Sequence, residues 1–192
     1  MIKDLHTLPA NLTVPADDGA CDHLLGSPLP SISLASTSGK IVDLSACGGS
    51  LVIFFYPMLG RPDSPPLIGW NDIPGARGCT PQTCAFRDSY IELKRLDVEV
   101  FGVSAQRFED QQEAHARLQL PFALLNDGQL TLAQALSLPT FEYAGARLIK
   151  RLTIVARDGL IRKVFYPVFP PNDNAREIIA WLTTHQSNAA TR

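Results

Sequence analysis

The chain has 192 residues, of which 45% are hydrophobic and 19% charged, and its formal net charge is −2. This is the composition of a globular protein with one domain and some extra chain, and it excludes a disordered protein. The sequence contains no cluster of Lys and Arg, so we expect neither nucleic acid nor a membrane surface as a partner.

The two ends of the chain carry little pattern. Residues 1–25 are predicted to form an N-terminal arm, residues 26–186 the folded domain, and residues 187–192 a flexible tail. The first four residues include Asp4 and lead into no apolar stretch, so we expect no signal peptide. A cytoplasmic location follows, in which cysteines stay reduced and serve redox chemistry or metal binding more often than structural disulfides.

Strand signals occur in the first half and the last third of the domain. Alternating residues around Ser38-Gly39 and segments flanking Asp158-Gly159 indicate two hairpins. A continuous apolar run at 51–56 and a mostly apolar run at 98–103 indicate central strands covered on both faces. The segments are 31–34 with 40–44, 51–56, 98–103, and 148–156 with 160–164.

Apolar residues recur at helical spacing between and after these strands. The stripes are Phe86, Tyr90 and Leu93, then Leu132, Ala133 and Leu136, then Ala175, Ile178, Ile179 and Leu182, with a weaker helix over 109–118. Strands alternating with helices, closed by a hairpin and a helix, predict an α/β fold with a mixed sheet.

A long segment without periodicity leads into a pair of cysteines. Residues 58–78 contain four prolines and four glycines, and a loop of this length is usually functional. Thr80 followed by Pro81 predicts a helix start with Thr80 as the N-cap. Cys79 then lies at the mouth of a helix, where free N–H groups and the helix dipole favour a thiolate, so it is the best nucleophile candidate.

Cys84 follows five residues later, which separates the two Cα atoms by about 7.5 Å along a helix axis. A disulfide needs Cα atoms within about 6.8 Å, so bridging Cys79 to Cys84 requires local unwinding. Three other interpretations remain. Both cysteines can be small core residues, a zinc site needs a different spacing and further ligands, and a thioredoxin-type pair has two intervening residues where this chain has four.

Residues 78–88, which read Gly-Cys-Thr-Pro-Gln-Thr-Cys-Ala-Phe-Arg-Asp, and residues 55–57, which read Phe-Tyr-Pro, together resemble the active site of peroxiredoxins. The similarity is closest to the peroxiredoxin Q (bacterioferritin comigratory protein) group. It continues through residues 90–94, 98–104, 120–122 and 151–155. The resemblance implies a thioredoxin-like three-layer fold with a central mixed sheet and an N-terminal β-hairpin, and the activity of an atypical 2-Cys thiol peroxidase.

The resemblance also implies roles for individual residues. Cys79 matches the peroxidatic nucleophile, Cys84 the resolving cysteine, Arg151 the stabiliser of thiolate and peroxide, and Pro57 the proline that shields the thiolate. It implies hydrogen peroxide or an alkyl hydroperoxide as substrate, a thioredoxin-like reductant, no cofactor or metal, and a monomer or weak homodimer.

Strand alternation places Ile149, Arg151, Thr153 and Val155 on one face. An arginine among apolar neighbours needs a partner, and either a thiolate or a salt bridge at the sheet edge would serve.

One position departs from the family pattern. The threonine expected three residues before the peroxidatic cysteine is Ala76, and 22 positions separate Pro57 from Cys79 where the pattern has seven. Residues 58–77 therefore contain an insertion of 15 residues. Ser64, Asn71 or Asp72 replaces the hydroxyl, or activity is reduced, or Ala76 is not the equivalent position.

The departure keeps a second class of function open, a redox sensor or partner-binding module with weak peroxidase activity. A general disulfide reductase is a third and weaker hypothesis, because the cysteine spacing differs from that of a thioredoxin-type pair. Cys21 and Cys47 are expected to be bystanders, with Cys21 a less favoured resolving thiol, and Trp70 is expected to be a packing anchor.

Overall fold

The computed structural model describes residues 5–64 and 67–186. Residues 1–4 of the predicted arm, 65–66 of the insertion and the predicted tail at 187–192 lie outside the described residues. Its strands are β1 (Ser33–Ser36), β2 (Ile41–Asp43), β3 (Ser50–Phe55), β4 (Val98–Ser104), β5 (Ala123–Asn126), β6 (Thr140–Tyr143), β7 (Ala146–Ile149), β8 (Leu152–Arg157) and β9 (Leu160–Phe165). Its helices are α1 (Cys79–Asp88), α2 (Tyr90–Arg95), α3 (Phe108–Arg117), α4 (Thr131–Ala135) and α5 (Asn174–Gln186).

Seven strands form one mixed sheet in the order β2-β1-β5-β4-β3-β8-β9, and β6 pairs with β7 in a separate two-stranded sheet. The central strand β3 runs parallel to β4 and antiparallel to β8. All six residues of β3 are buried, as its continuous apolar run predicts.

The two faces of the sheet carry separate hydrophobic cores. Leu51, Ile53 and Phe55 belong to a core that includes α4, whereas Val52 and Phe54 belong to a core that includes residues of α1, α2, α3 and α5. This alternation along one strand places helices on both sides of the sheet. The α/β fold, with a central mixed sheet flanked by helices, is therefore confirmed, as are both hairpins.

The prediction of one continuous strand over residues 148–156 is wrong, because the structure has two strands there. The segment divides at Lys150 and Arg151, because its first part pairs with β6 and its second part with β3. Ile149 consequently packs in the core on one face of the sheet and Val155 in the core on the other. The prediction that Ile149 shares a face with Val155 fails, because alternation does not carry across a break between strands. Arg151 does lie on the side of Val155, since it contacts Cys79 of the same core.

Two helix predictions also need correction. Gly78, and not Thr80, is the N-cap of α1, so Cys79, Thr80 and Pro81 are its first three residues. Proline is tolerated there because N–H groups in the first turn have no partner within the helix. The stripe from Phe86 to Leu93 is not one helix, since α1 ends at Asp88 and α2 begins after Ser89. Asp and Ser are both weaker helix formers than Ala, Leu, Glu or Lys.

The strands β5 and β6 are not part of the predicted set, and of β7 only Leu148 and Ile149 are. All three strands are four residues long, and such short segments carry little periodicity. The division into an arm at 1–25 and a domain at 26–186 stays a prediction. Cys21 and Leu24 are nevertheless buried in the core beside α4, so the two parts pack together.

Candidate active site

The start of α1 fixes the position of the predicted nucleophile. Gly78 has a φ of +106°, a backbone conformation that residues other than glycine rarely adopt. A Cβ at this position would lie 2.3 Å from Cγ of Pro171, so glycine is also required for space. The close approach sets Cys79 at the first position of the helix, where the thiol is 4% exposed and its Sγ lies 3.6 Å from the carbonyl oxygen of Ala76.

Arg151 brings a positive charge to this sulfur across 72 positions of sequence. Its Nη2 donates to Cys79 Sγ at 3.2 Å and to the carbonyl oxygen of Ala76 at 3.1 Å, and its Nε donates to the carbonyl oxygen of Gly75 at 3.2 Å. Arg151 is 3% exposed, and no ion pair within the described part of the chain includes it. A buried cation needs an anionic partner, and the Cys79 thiolate is the group in position to serve.

A row of buried polar side chains orients the guanidinium. Arg151 Nη1 donates to Gln82 Oε1, and Gln82 Nε2 donates to Asn174 Oδ1 at 3.0 Å. Thr153 Oγ1 donates to the same oxygen at 2.7 Å. These hydrogen bonds restrict the rotation of a flexible side chain, so the Nη2 atom stays directed at the sulfur. Gln82 and Asn174 are not among the residues predicted from the sequence, since polar residues on helices give no local signal of this role.

A pocket of about 240 Å³ opens onto Cys79. Several of its walls come from the insertion, among them Leu67, Trp70 and Asn71. Asn71 is the one of the three predicted substitutes for the missing hydroxyl that lines this pocket; Ser64 and Asp72 are not among its described lining residues. Ala76 is fully buried, and its carbonyl oxygen faces both the sulfur and the guanidinium.

Trp70 holds the insertion in place, as its predicted role as a packing anchor requires. It is 5% exposed and shares a small core with Ala76 and Leu148. Its ring lies 4.8 Å from the ring of Tyr143 and 6.0 Å from that of Phe141, both on β6.

The predicted resolving cysteine lies in the second turn of α1. Cys84 is 8% exposed, both cysteines are free thiols, and burial raises the pKa of the Cys84 thiol. Its Sγ lies 3.9 Å from Nδ1 of His6 in the N-terminal arm. Because both cysteines lie within one intact helix, the condition behind the predicted local unwinding is met.

Pro57 lies two residues beyond Phe55, the last residue of β3, and is buried. Its carbonyl oxygen accepts a hydrogen bond from Ser104 Oγ at 2.8 Å. The described lining of the pocket includes the neighbouring Met58 and not Pro57. The shielding role of Pro57 therefore stays a prediction. Pro57 anchors the loop entrance through its backbone, next to the buried Tyr56 whose hydroxyl accepts a hydrogen bond from Gln111.

The other two cysteines lie away from this pocket. Burial, followed by the charge of Asp18, raises the pKa of Cys21 to about 12. Cys47 donates to the carbonyl oxygen of Asp43, and burial raises the pKa of this thiol as well. Neither is among the described lining residues of the pocket, so neither is placed to meet a peroxide bound there.

Residues 5–64 and 67–186 contain neither a candidate metal site nor a candidate membrane-spanning helix. They contain no group of three or more His, Cys, Asp and Glu side chains suited to hold a metal ion. They also contain no helix with the length and hydrophobicity to cross a bilayer.

Solved structures share this architecture. Peroxidoxin BcpB from Mycobacterium tuberculosis superposes with a TM-score of 0.67 at 24% identity, over 83% of this chain and 96% of that chain. Bacterioferritin comigratory protein from Xanthomonas campestris gives a TM-score of 0.63 at 20% identity, over 91% and 99% of the two chains. The fold is therefore that of the thioredoxin-like peroxiredoxins.

The sequence comparisons narrow this class. The Redoxin family model matches residues 24–179. Chloroplastic peroxiredoxin Q of Suaeda salsa is 30% identical over 158 residues, which are 82% of this chain and 66% of that protein. Chloroplastic peroxiredoxin Q of Oryza sativa subsp. japonica is 28% identical over 180 residues, 91% and 76% of the two chains. The chain belongs to the Redoxin family, within its peroxiredoxin Q group.

Proposed function

We propose that this protein is a thiol-dependent peroxidase that reduces hydrogen peroxide or alkyl hydroperoxides through Cys79. The observation that carries the proposal is the 3.2 Å contact between Arg151 Nη2 and Cys79 Sγ, made by a buried guanidinium without a carboxylate partner among the described residues. The names of the relatives support the same activity, and the Xanthomonas campestris protein is described as having alkyl peroxide reduction activity.

In the first step the Cys79 thiolate attacks the nearer peroxide oxygen. A sulfur–oxygen bond forms, the oxygen–oxygen bond breaks, and negative charge moves onto the leaving hydroxide or alkoxide. Arg151 and the free N–H groups at the start of α1 are donors already oriented toward this charge. The product on Cys79 is a sulfenic acid.

In the second step Cys84 condenses with the sulfenic acid, which gives an intramolecular disulfide and water. Once Cys79 is oxidised, Arg151 loses its anionic partner, and the first turn of α1 loses part of its attachment. The chemistry itself thus favours the unwinding that the disulfide needs. A thioredoxin-like reductant then restores both thiols by exchange.

Stopped-flow kinetics with hydrogen peroxide and with an alkyl hydroperoxide tests the first step. We expect Cys79→Ser to abolish rapid peroxide consumption and Cys84→Ser to retain one rapid turnover per chain, because only the second step needs Cys84. Cys47→Ser is the matched control and keeps the wild-type rate. Rapid consumption by Cys79→Ser would contradict the proposal.

The replacement of the family threonine by Ala76 favours a second candidate function, a redox sensor or partner-binding module. Steady-state turnover with a thioredoxin system separates the two. A peroxidase turns over repeatedly, whereas a sensor is oxidised once and then binds a partner according to its oxidation state. We favour the peroxidase, because Asn71 lines the pocket and brings to it a polar side chain in place of the threonine hydroxyl.

The cytoplasmic location and the monomeric or weakly dimeric state stay predictions. The curated plant relatives are named chloroplastic, which describes those proteins. Sedimentation velocity across a range of protein concentrations tests the predicted state of association.

A further inference from the structure

The N-terminal arm lies against the active-site helix and its approach. Leu5 is 5% exposed and lines the pocket that opens onto Cys79. The carbonyl oxygen of Thr7 accepts a hydrogen bond from Arg77 at 3.2 Å. Between these two contacts, Nδ1 of His6 lies 3.9 Å from Cys84 Sγ. The arm therefore touches both the entrance to Cys79 and the second cysteine.

The proposed second step needs a proton acceptor at Cys84. The attacking species in disulfide formation is the thiolate, and burial works against ionisation of this thiol. The charged groups that act on Cys84 are Arg87, Asp88 and Arg117. Neither arginine accepts a proton, and the Asp88 carboxylate is held by Arg87 Nε at 2.8 Å. Among the described residues, the base in contact with the sulfur is the imidazole of His6.

We propose that His6 is the general base of the disulfide-forming step; this inference rests on the proposed function. With its proton on Nε2, the ring accepts the Cys84 proton at Nδ1 as the Cys84 sulfur attacks the sulfur of the Cys79 sulfenic acid. The sulfur–sulfur bond forms and the bond from Cys79 sulfur to hydroxyl breaks. The hydroxyl takes up a proton from the imidazolium or from solvent and leaves as water. Cys84 is oxidised and Cys79 is reduced from sulfenic acid to disulfide.

The position of His6 suits this role. Its side chain is exposed, so the ring exchanges protons with solvent while it contacts a thiol that is itself largely buried. Cys84 is the sixth residue of α1, beyond the first turn that starts at Cys79. Unwinding of the first turn therefore moves Cys79 toward Cys84 and leaves the contact between Cys84 and His6 in place.

The test follows the two steps separately after one equivalent of hydrogen peroxide. Peroxide consumption reports Cys79, and rapid quenching with a thiol-alkylating reagent followed by mass spectrometry reports the disulfide. We expect His6→Gln to consume peroxide at the wild-type rate and to form the disulfide at least about tenfold more slowly. General base catalysis commonly contributes ~10²–10⁴-fold, and here hydroxide in solvent supplies part of the deprotonation. The matched control is His185→Gln, a histidine on α5 that packs on Trp181, which keeps both rates.

A second variant separates chemistry from a structural effect. In His6→Ala, added imidazole should restore the rate of disulfide formation in proportion to its concentration, because free imidazole replaces the missing base. Disulfide formation by His6→Gln at the wild-type rate would overturn the inference, and so would a slow His6→Ala that imidazole does not restore. Failure of the wild-type protein to consume peroxide would instead overturn the proposed function, so the two failures are distinguishable.

Discussion

Arg151 is a cation enclosed by the protein, and its contacts explain how the charge is accommodated. Gly75 O and Gln82 Oε1 accept hydrogen bonds from Nε and Nη1, whereas Ala76 O accepts from Nη2, the atom that also meets the sulfur. The free energy of burying the charge is thus offset by several hydrogen bonds, but the charge itself is balanced only when Cys79 is ionised. The proposed function depends on this contact, because a thiolate at Cys79 would supply the missing negative charge.

A substitution of Arg151 tests the role proposed for its contact with Cys79. We expect Arg151→Met to lower the rate constant for peroxide consumption by about 10²–10³-fold, the loss typical of removing one oriented donor to developing charge. Arg151→Lys should fall between Met and the wild type, because a lysine keeps the charge and lacks the planar fork. Stopped-flow kinetics measures all three. The control is Arg147→Met on β7, an exposed arginine paired with Glu142, and a wild-type rate in Arg151→Met would contradict the assigned role.

The helix α1 is held in place at its N-terminal end, and its second turn is buried. Gly78 approaches Pro171 closely, and Gln82 is tied to Asn174 at the start of α5. These attachments come from the segment before α5 and from α5 itself, so the reactive end of α1 is positioned by the C-terminal part of the chain. Opening of the first turn must break the hydrogen bonds of Gln82, which gives the helix a defined closed state.

Gly78→Ala should disturb that closed state. The added Cβ meets Pro171 and forces alanine into a positive φ, so we expect a loss of about 1–3 kcal/mol in the free energy of unfolding together with slower peroxide consumption. Gly145→Ala is the matched control, since Gly145 also has a positive φ, of +79°, but has open space where a Cβ would be added. Chemical denaturation and stopped-flow kinetics measure the two effects. Equal losses in the two variants would show that contact with Pro171 does not matter.

Across the whole molecule, the insertion and the small β6–β7 sheet stabilise each other. Trp70 packs on the aromatic side chains of β6, and Tyr143 Oη donates to the carbonyl oxygen of Ile68 at 2.9 Å. Ala76 lies in the same small core and presents its carbonyl oxygen to Arg151. A segment outside the main sheet thereby contributes to the position of the Arg151 guanidinium.

Trp70→Ala should loosen the insertion without unfolding the main sheet. We expect faster tryptic cleavage after Arg77, by at least about tenfold, because local opening exposes a loop that depends on few buried contacts. Peroxide consumption should fall as well, since the carbonyl oxygens that orient Arg151 move with the loop. Limited proteolysis and circular dichroism provide the measurements. Trp70→Phe keeps an aromatic ring in the small core and should remain resistant, and equal cleavage of the alanine and phenylalanine variants would contradict this account.

Local patterns along the chain were enough to predict β3, β4, both hairpins and the position of Cys79 at a helix start. Each of these depends on neighbours within a few residues, through alternation, turn residues or helix capping. The same reasoning assigned the cap to Thr80 and missed Gly78, whose close approach to Pro171, 93 positions away in sequence, leaves no local signal.

The contacts on which the proposed reaction depends are between residues distant in sequence. Arg151 meets Cys79 across 72 positions, His6 meets Cys84 across 78, and Gln82 meets Asn174 across 92. Residue type alone marks such side chains as polar; it does not say which polar groups share a buried space. That pairing arises only when the sheet closes and excludes water, because exclusion of water makes each hydrogen bond and each charge depend on a particular partner.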